Sequence, residues 1–263
     1  MPSFFDLPIW VGLPIFVLVV VAVSSLLVLA LRGWVRRASA GRGEWDRVLS
    51  YAVGAYGIIY GVTLGLIAAG AYGNFALVNS VVVKESSSVA VLYRDAAFLS
   101  EPASSELKDA LVAYTNAVIT EDWPLQEQQI TPETTDEHVT AIQRAIADFE
   151  PATDSDVVAK SQTIGAFNTF ITDRRERISL THLSLPWMLW IVIGVGALLN
   201  AVLLALIEVR DLRIHLLMSG LISTFLAILV YSIAGFDHVY SGPIAVTPEH
   251  FRELLTGLFL QSP

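Results

Sequence analysis

Charged side chains are missing from four long runs of the chain and crowd into one stretch between them. The runs cover residues 7–31, 48–83, 178–207 and 214–236. The first is dense in branched aliphatics, Ile15 to Val21 above all, and meets the ~20 apolar residues needed to cross a ~30 Å hydrocarbon core as a helix. Its flank is not basic and the run is long for a leader, so it reads as a span and not as a cleaved signal. The second run is too long for one crossing. At ~1.5 Å per residue it makes a helix of about 54 Å, so the pattern predicts that it leaves the membrane and continues as a helix beyond it. Pro186 with Trp187 and Trp190 marks an interfacial start for a third span over 184–207, and the fourth occupies 214–236.

The stretch between the second and third spans, residues 84–183, carries helical periodicity. Leu107, Leu111, Tyr114 and Val118 recur at helical spacing, as do Val139, Ile142, Ile146 and Phe149, and a third stripe joins Ile164, Phe167, Phe170 and Ile171. Thr131-Pro132-Glu133 has the form of a helix start, and Pro102, Pro124 and Pro151 punctuate the segments. Four helices are expected, near 84–100, 103–121, 133–149 and 154–182. No alternating run is long enough for a sheet. Residues 237–263 hold a turn at Ser241-Gly242-Pro243 and a final helix opened by Thr247-Pro248-Glu249. Phe251, Leu254, Leu255 and Leu258 share one face of that helix, which is expected on the membrane surface or on the middle domain. The fold expected is an all-α membrane protein, with four transmembrane helices, two on each side of a helical-bundle extramembrane domain.

Charge sharpens this picture. The net charge is −9 over 263 residues, and residues 84–183 hold seventeen acids and eight bases, a net of −9, while the remainder has eight of each. An acidic surface excludes nucleic acid as a partner, since phosphate binding needs a basic face. The short segment after the first span holds Arg32, Arg36, Arg37, Arg42 and Arg47, and that between the third and fourth holds Arg210 and Arg213. The positive-inside rule then places both short loops in the cytoplasm of a bacterial cell, and the acidic domain and both termini outside. The chain has no cysteine, hence no disulfide or thiolate chemistry.

Little else carries chemistry. The five histidines show no ligand spacing, so no metal is expected, and no motif calls for a cofactor. There is no nucleophile elbow, no Walker lysine and no catalytic carboxylate pair, so no enzymatic activity is expected. The second span is more informative. Gly57, Gly61 and Gly65 recur every four residues, a spacing that lets helices approach closely or leaves room beside a pore. Tyr60 with Tyr56, Leu64, Asn74 and Phe75 belong to the same helix, and these make the pore-lining candidates Gly57, Tyr60, Gly61, Leu64, Gly65, Asn74 and Phe75. Arg174 and Arg177, before the third span, are either headgroup-level charges or an ion-attracting ring once subunits assemble. Asp237 and His238, at the mouth of the fourth span, are candidates for gating or ion binding, or a plain turn.

The order of several short motifs is also familiar. Glu85 follows a long second span. Leu92-Tyr93-Arg94, Trp123-Pro124, Arg174 with Arg177, Leu185-Pro186 with Trp190, and Phe236-Asp237-His238-Val239-Tyr240-Ser241-Gly242 come after it in turn. Over most of its length the chain resembles a bacterial membrane family described as bestrophin-like. The family's last motif looks like Asp-x-Pro-Phe-x-Gly; here Val239 stands in place of Pro and Tyr240 in place of Phe. Bestrophins are pentameric anion channels whose second helix lines the pore, with their large helical domain in the cytosol, and the resemblance implies the same role for this second span. The function expected is an oligomeric ion channel, with anions favoured. Its partners are the bilayer, further copies of itself and small inorganic ions. The alternative is a membrane-anchored sensor or assembly module without transport.

Overall fold

All regular structure among the described residues is helical. The computed structural model describes residues 7–39, 43–242 and 244–260. The helices are α1 (Ile9–Ser39), α2 (Gly43–Ala96), α3 (Ala103–Ala117), α4 (Trp123–Glu127), α5 (Asp136–Asp148), α6 (Asp154–Ser179), α7 (Trp187–Ala205), α8 (Leu212–Asp237) and α9 (Glu249–Glu253). Two π-helical turns, Val118–Asp122 and Leu254–Leu258, follow α3 and α9. α1, α2, α7 and α8 are long and apolar enough to cross a membrane. α2 is one uninterrupted helix of 54 residues, about 81 Å long.

The chain divides into two compact units. One comprises Met1–Asn74, Ser184–His238 and Gly242–Ile244; the other comprises Phe75–Leu183, Val239–Ser241 and Ala245–Pro263. α2 contributes to both, and the division falls between Asn74 and Phe75.

In the first unit α1 lies along α8 and α7. A Cβ at Gly12 of α1 would meet the Tyr231 hydroxyl of α8 at 2.5 Å, so a side chain there would have to displace that hydroxyl. Deeper along the pair, the Ser24 and Ser219 hydroxyls share a buried hydrogen bond of 2.9 Å. Tyr60, Leu64, Ile67 and Ala71 of α2 are buried with Ile193 of α7 and with Leu226 and Ile233 of α8. Trp10, Leu18, Leu66, Leu221 and Phe225 are exposed instead. So broad an apolar surface calls for an apolar solvent, which the bilayer supplies. The arginines placed by the sequence in a loop sit mostly on helices: Arg32, Arg36 and Arg37 belong to α1 and Arg47 to α2, because both helices outrun their apolar runs. Arg42, Pro243, residues 1–6 and residues 261–263 lie outside the described residues.

The second unit is built from two stripes that include polar positions. On α2, Val78, Val82, Glu85, Val89, Leu92 and Ala96 follow one another at helical spacing, and all are fully buried. On α6 the buried face runs through Ala159, Thr163, Phe170, Arg174 and Arg177. Ile164, which the apolar pattern assigned to that face, is exposed, because the face is continued by Thr163 instead. Leu107, Leu111, Tyr114 and Val118 are fully buried, as their spacing predicts. Two boundaries differ from expectation. Thr131-Pro132-Glu133 does not open a helix: α5 begins at Asp136, after Thr134 and Thr135 have turned their hydroxyls onto Asp122. Pro124 does not end the third helix either. A π-helical turn precedes it, and α4 continues with Pro124 in its first turn, a position where proline is tolerated. Finally, the C-terminal helix docks on this unit: Phe251 is fully buried, and Leu254 and Leu258 pack beside it. Gly242 turns the chain before it, with φ of 90°, a conformation that favours glycine.

α6 starts with a capping box. The Asp156 N–H donates to the Thr153 hydroxyl at 3.2 Å, and the Asp156 carboxylate accepts from the N–H groups of Thr153 and Ala152 at 2.9 and 3.1 Å. The Thr153 bond, then the backbone bonds, hold the Asp156 carboxyl below its ordinary pKa. The box therefore supports α6 above the ordinary carboxylate range and weakens as pH falls through the lowered value. Thr153→Ala is expected to destabilise the start of α6 by about 1 kcal/mol. Amide exchange over residues 154–158 reads this; unchanged protection would contradict the box.

Candidate functional site

α2 carries two different faces through the first unit. On one face Tyr56 and Tyr60 stack with ring centroids 5.5 Å apart, and both reach α7. The Tyr60 hydroxyl donates to the Ile193 carbonyl at 2.8 Å, and the Tyr56 hydroxyl donates to the Gly196 carbonyl. The Tyr60 ring fills the space that a side chain at position 196 would need: a Cβ there would lie 2.1 Å from the ring. Leu64 is buried on the same face, 2% exposed. The other flank holds Gly57, Gly61 and Gly65, and a Cβ added at any of the three meets nothing within 4 Å. The structure thus separates the seven candidates on this helix. Gly57, Gly61 and Gly65 are bare, while Tyr60 and Leu64 point into their own subunit. Asn74 is half-buried, and Phe75 is half-buried against the core of the second unit.

Asp237 and His238 close α8. One Asp237 oxygen accepts the Trp190 indole N–H at 3.0 Å and the other accepts the backbone N–H of Leu185. Asp237 therefore ties the end of α8 to the approach and first turn of α7. The His238 Nδ1 lies 3.0 Å from the Ala234 carbonyl, one turn back. These bonds join the end of α8 to its own last turn and to α7.

Arg174 and Arg177 of α6 are not surface charges. Arg177 is fully buried. Its Nε donates to Glu85 Oε2 at 2.6 Å, Nη1 to Gln126 Oε1 at 2.6 Å, and Nη2 to Asp122 Oδ2 at 2.9 Å. The Tyr114 hydroxyl donates to the second Glu85 oxygen, and the hydroxyls of Thr134 and Thr135 donate to Asp122 at 2.8 and 3.0 Å. Arg174 bonds Asp136 Oδ1 at 2.7 Å and the Thr135 hydroxyl at 2.8 Å. Two carboxylates thus face one guanidinium in a buried core, and hydrogen bonds donated by the tyrosine and threonine hydroxyls stabilise the surplus negative charge. Burial alone would lower the Arg177 pKa, but the Glu85, Tyr114 and Asp122 interactions outweigh it and the net direction is well upward. Burial, then the Glu85 charge, pushes the Tyr114 hydroxyl well above its ordinary pKa, and burial pushes Tyr240 up to about 12. Of the three arginines between residues 174 and 177, Arg175 alone is exposed, so a ring of free cations is not available at Arg174 and Arg177.

Sequence reasoning missed Asp122, Gln126 and Tyr114 as members of this cluster, and Gly196 as the seat of Tyr60. The available signal was Glu85 inside an otherwise apolar stripe of α2, and Arg177 in register with Phe170 on α6. An acid and a base each at a core position are expected to find one another.

Residues 18–251 match the family described as Bestrophin-like domain. In structure the chain is similar to a crystal structure of a bacterial bestrophin homologue from Klebsiella pneumoniae carrying a point mutation. The TM-score is 0.67 and the identity 13%, with 93% of this chain and 99% of that one covered. At that identity the likeness is one of fold. No curated protein matches the chain in sequence.

Arg177→Met leaves two buried carboxylates without their cation and is expected to destabilise the protein by about 3–5 kcal/mol, read by thermal or denaturant unfolding in detergent. A loss below about 1 kcal/mol would show that the cluster is hydrated. The raised Tyr240 pKa stabilises the fold below pH 10 and is lost as pH rises from 10 towards about 12. Tyr240→Phe is accordingly expected to flatten the alkaline branch of the stability curve in that window, and an unchanged branch would contradict the assignment.

Proposed function

The chain belongs to the bestrophin-like family, and on that premise we propose that it is an oligomeric ion channel, with anions favoured and copies of α2 around a central pore. The family's members are anion channels in general, which supports the class of activity. The observation that carries the reading to this chain is the division of α2. Its tyrosine face is spent on α7, while its glycine flank is bare within the subunit. A bare small-residue flank is free to face a neighbouring copy or water at a shared axis.

In this reading Gly57, Gly61 and Gly65 line or border the pore, Tyr60 and Leu64 brace the helix from behind, and Asn74 and Phe75 stand near its mouth. Arg174, Arg177 and Asp237 act as positioning residues that hold the helices, since their polar atoms are already committed. The arginine-bearing ends of α1 and α2 and the turn with Arg210 and Arg213 face the cytoplasm of a bacterial cell membrane, and the acidic helical unit and both termini face outside. That orientation is inverted relative to bestrophins and rests on the arginine distribution.

Reconstitution in liposomes under chloride and potassium gradients tests the proposal. Chloride flux is expected, from a detergent-solubilised particle whose mass is a multiple of the subunit's 28.6 kDa. Flux of neither ion, or a monomeric particle, sinks the channel and leaves the membrane-anchored sensor or assembly module. Gly61→Phe is expected to cut flux without lowering the melting temperature, because the subunit has open space at that position. Gly196→Leu is expected to lower the melting temperature, because Tyr60 occupies its space. Wild-type flux through Gly61→Phe would remove that flank from the conduction path.

A further inference from the structure

At the arginine-bearing end of the first unit, two recesses share a wall. Ile207 and Glu208, just beyond α7, line both. The first is a small polar recess against Arg32, Arg36 and His215. The second is a cavity of about 470 Å³ against Leu49, Ser50, Val53 and Gly54 of α2, within the size range of ligand sites.

Depth along the membrane separates them. Trp34 and Trp45 meet edge to face at 6.2 Å, and the Trp45 indole N–H donates to the Leu206 carbonyl at 3.4 Å. Tryptophans of this kind mark the headgroup level. Leu49 to Gly54 follow Trp45 by one to two and a half turns of α2, about 6–13 Å deeper at the helical rise. The arginines thus stand at the level of lipid phosphates, and the cavity opens where hydrocarbon begins. Arg32 spends one donor on the Arg210 carbonyl at 3.3 Å, and neither Arg32 nor Arg36 has a carboxylate partner among the described residues. The cavity wall is mostly apolar and offers water few partners.

We propose that this corner binds one anionic phospholipid, with its phosphate on Arg32 and Arg36 and an acyl chain in the cavity beside Gly54. The shared wall is what makes a single two-ended molecule the fitting occupant. A free anion would use only the arginines, and a zwitterionic lipid would gain less from them. Among the described residues Glu208 is the one acid lining the two recesses, and its carboxylate opposes the phosphate, so among them the site favours an anion by two cations against one acid. Basic pockets of this kind between membrane helices suit anionic headgroups.

Native mass spectrometry of the delipidated full chain, titrated with phosphatidylglycerol, phosphatidylcholine or inorganic phosphate, tests the proposal. Phosphatidylglycerol is expected to be retained over phosphatidylcholine. Arg36→Gln is expected to weaken its retention about fivefold and Arg32→Gln with Arg36→Gln about thirtyfold, while Glu208→Gln tightens it. Gly54→Leu, which fills the cavity at a position with nothing within 4 Å, is expected to weaken both lipids. Melting temperatures confirm folding, and Arg36→Gln, an exposed change, serves if the double variant melts low. Equal retention of the two lipids, indifference to Arg36→Gln or Gly54→Leu, or displacement of phosphatidylglycerol by inorganic phosphate would each overturn the proposal. None of these outcomes depends on whether the protein conducts ions.

Discussion

The second unit is organised by one guanidinium. Arg177 is fully buried, and taking a charge of this kind out of water costs several kcal/mol unless its donors are matched. They are matched from separate segments: Glu85 of α2, Asp122 of the π-helical turn and Gln126 of α4. Because the geometry of a planar fork is fixed, each segment is held in one register and one rotation. This accounts for the irregularities around it. The π-helical turn makes Asp122 and Trp123, adjacent in sequence, both inward-facing. Thr134 and Thr135 give up an earlier start of α5 to reach Asp122. A well-packed apolar core would supply comparable stability; what the ionic centre adds is a penalty against any other register.

The first unit uses a different device, as a bilayer demands. Apolar burial drives little association between helices already surrounded by hydrocarbon, so close contact and hydrogen bonds decide. Glycine supplies the contact at Gly12 and Gly196. Hydroxyls supply the bonds, Ser24 to Ser219 between α1 and α8 and Tyr60 to the Ile193 carbonyl between α2 and α7. Asp237 completes the set by joining the end of α8 to the start of α7.

Much of this was legible in the sequence, and the unread parts share a cause. The four candidate spans follow from uncharged length alone, and α3 follows from the spacing of Leu107, Leu111, Tyr114 and Val118. The failures occur where a polar residue occupies a core position. An apolar count places Ile164 on the buried face of α6 because it passes over Thr163, Arg174 and Arg177, which belong to that face. The same count leaves the arginine pair as headgroup-level charges or an ion-attracting ring, although Glu85 sits in an apolar stripe where a partner is required. Pro124 looks like a stop in the sequence because a π-helical turn has no sequence period of its own. On α2, spacing located the glycines and tyrosines but gave no way to orient them, since which flank faces α7 depends on Gly196, more than a hundred residues away.

The seating of Tyr60 over Gly196 makes those two positions a single unit of variation. The ring and the missing side chain occupy one volume, so a larger residue at 196 is admissible only with a smaller one at 60. Two sites far apart in sequence and on different helices are therefore constrained to change as a pair. Among related chains, that joint substitution would be the written trace of the α2–α7 contact.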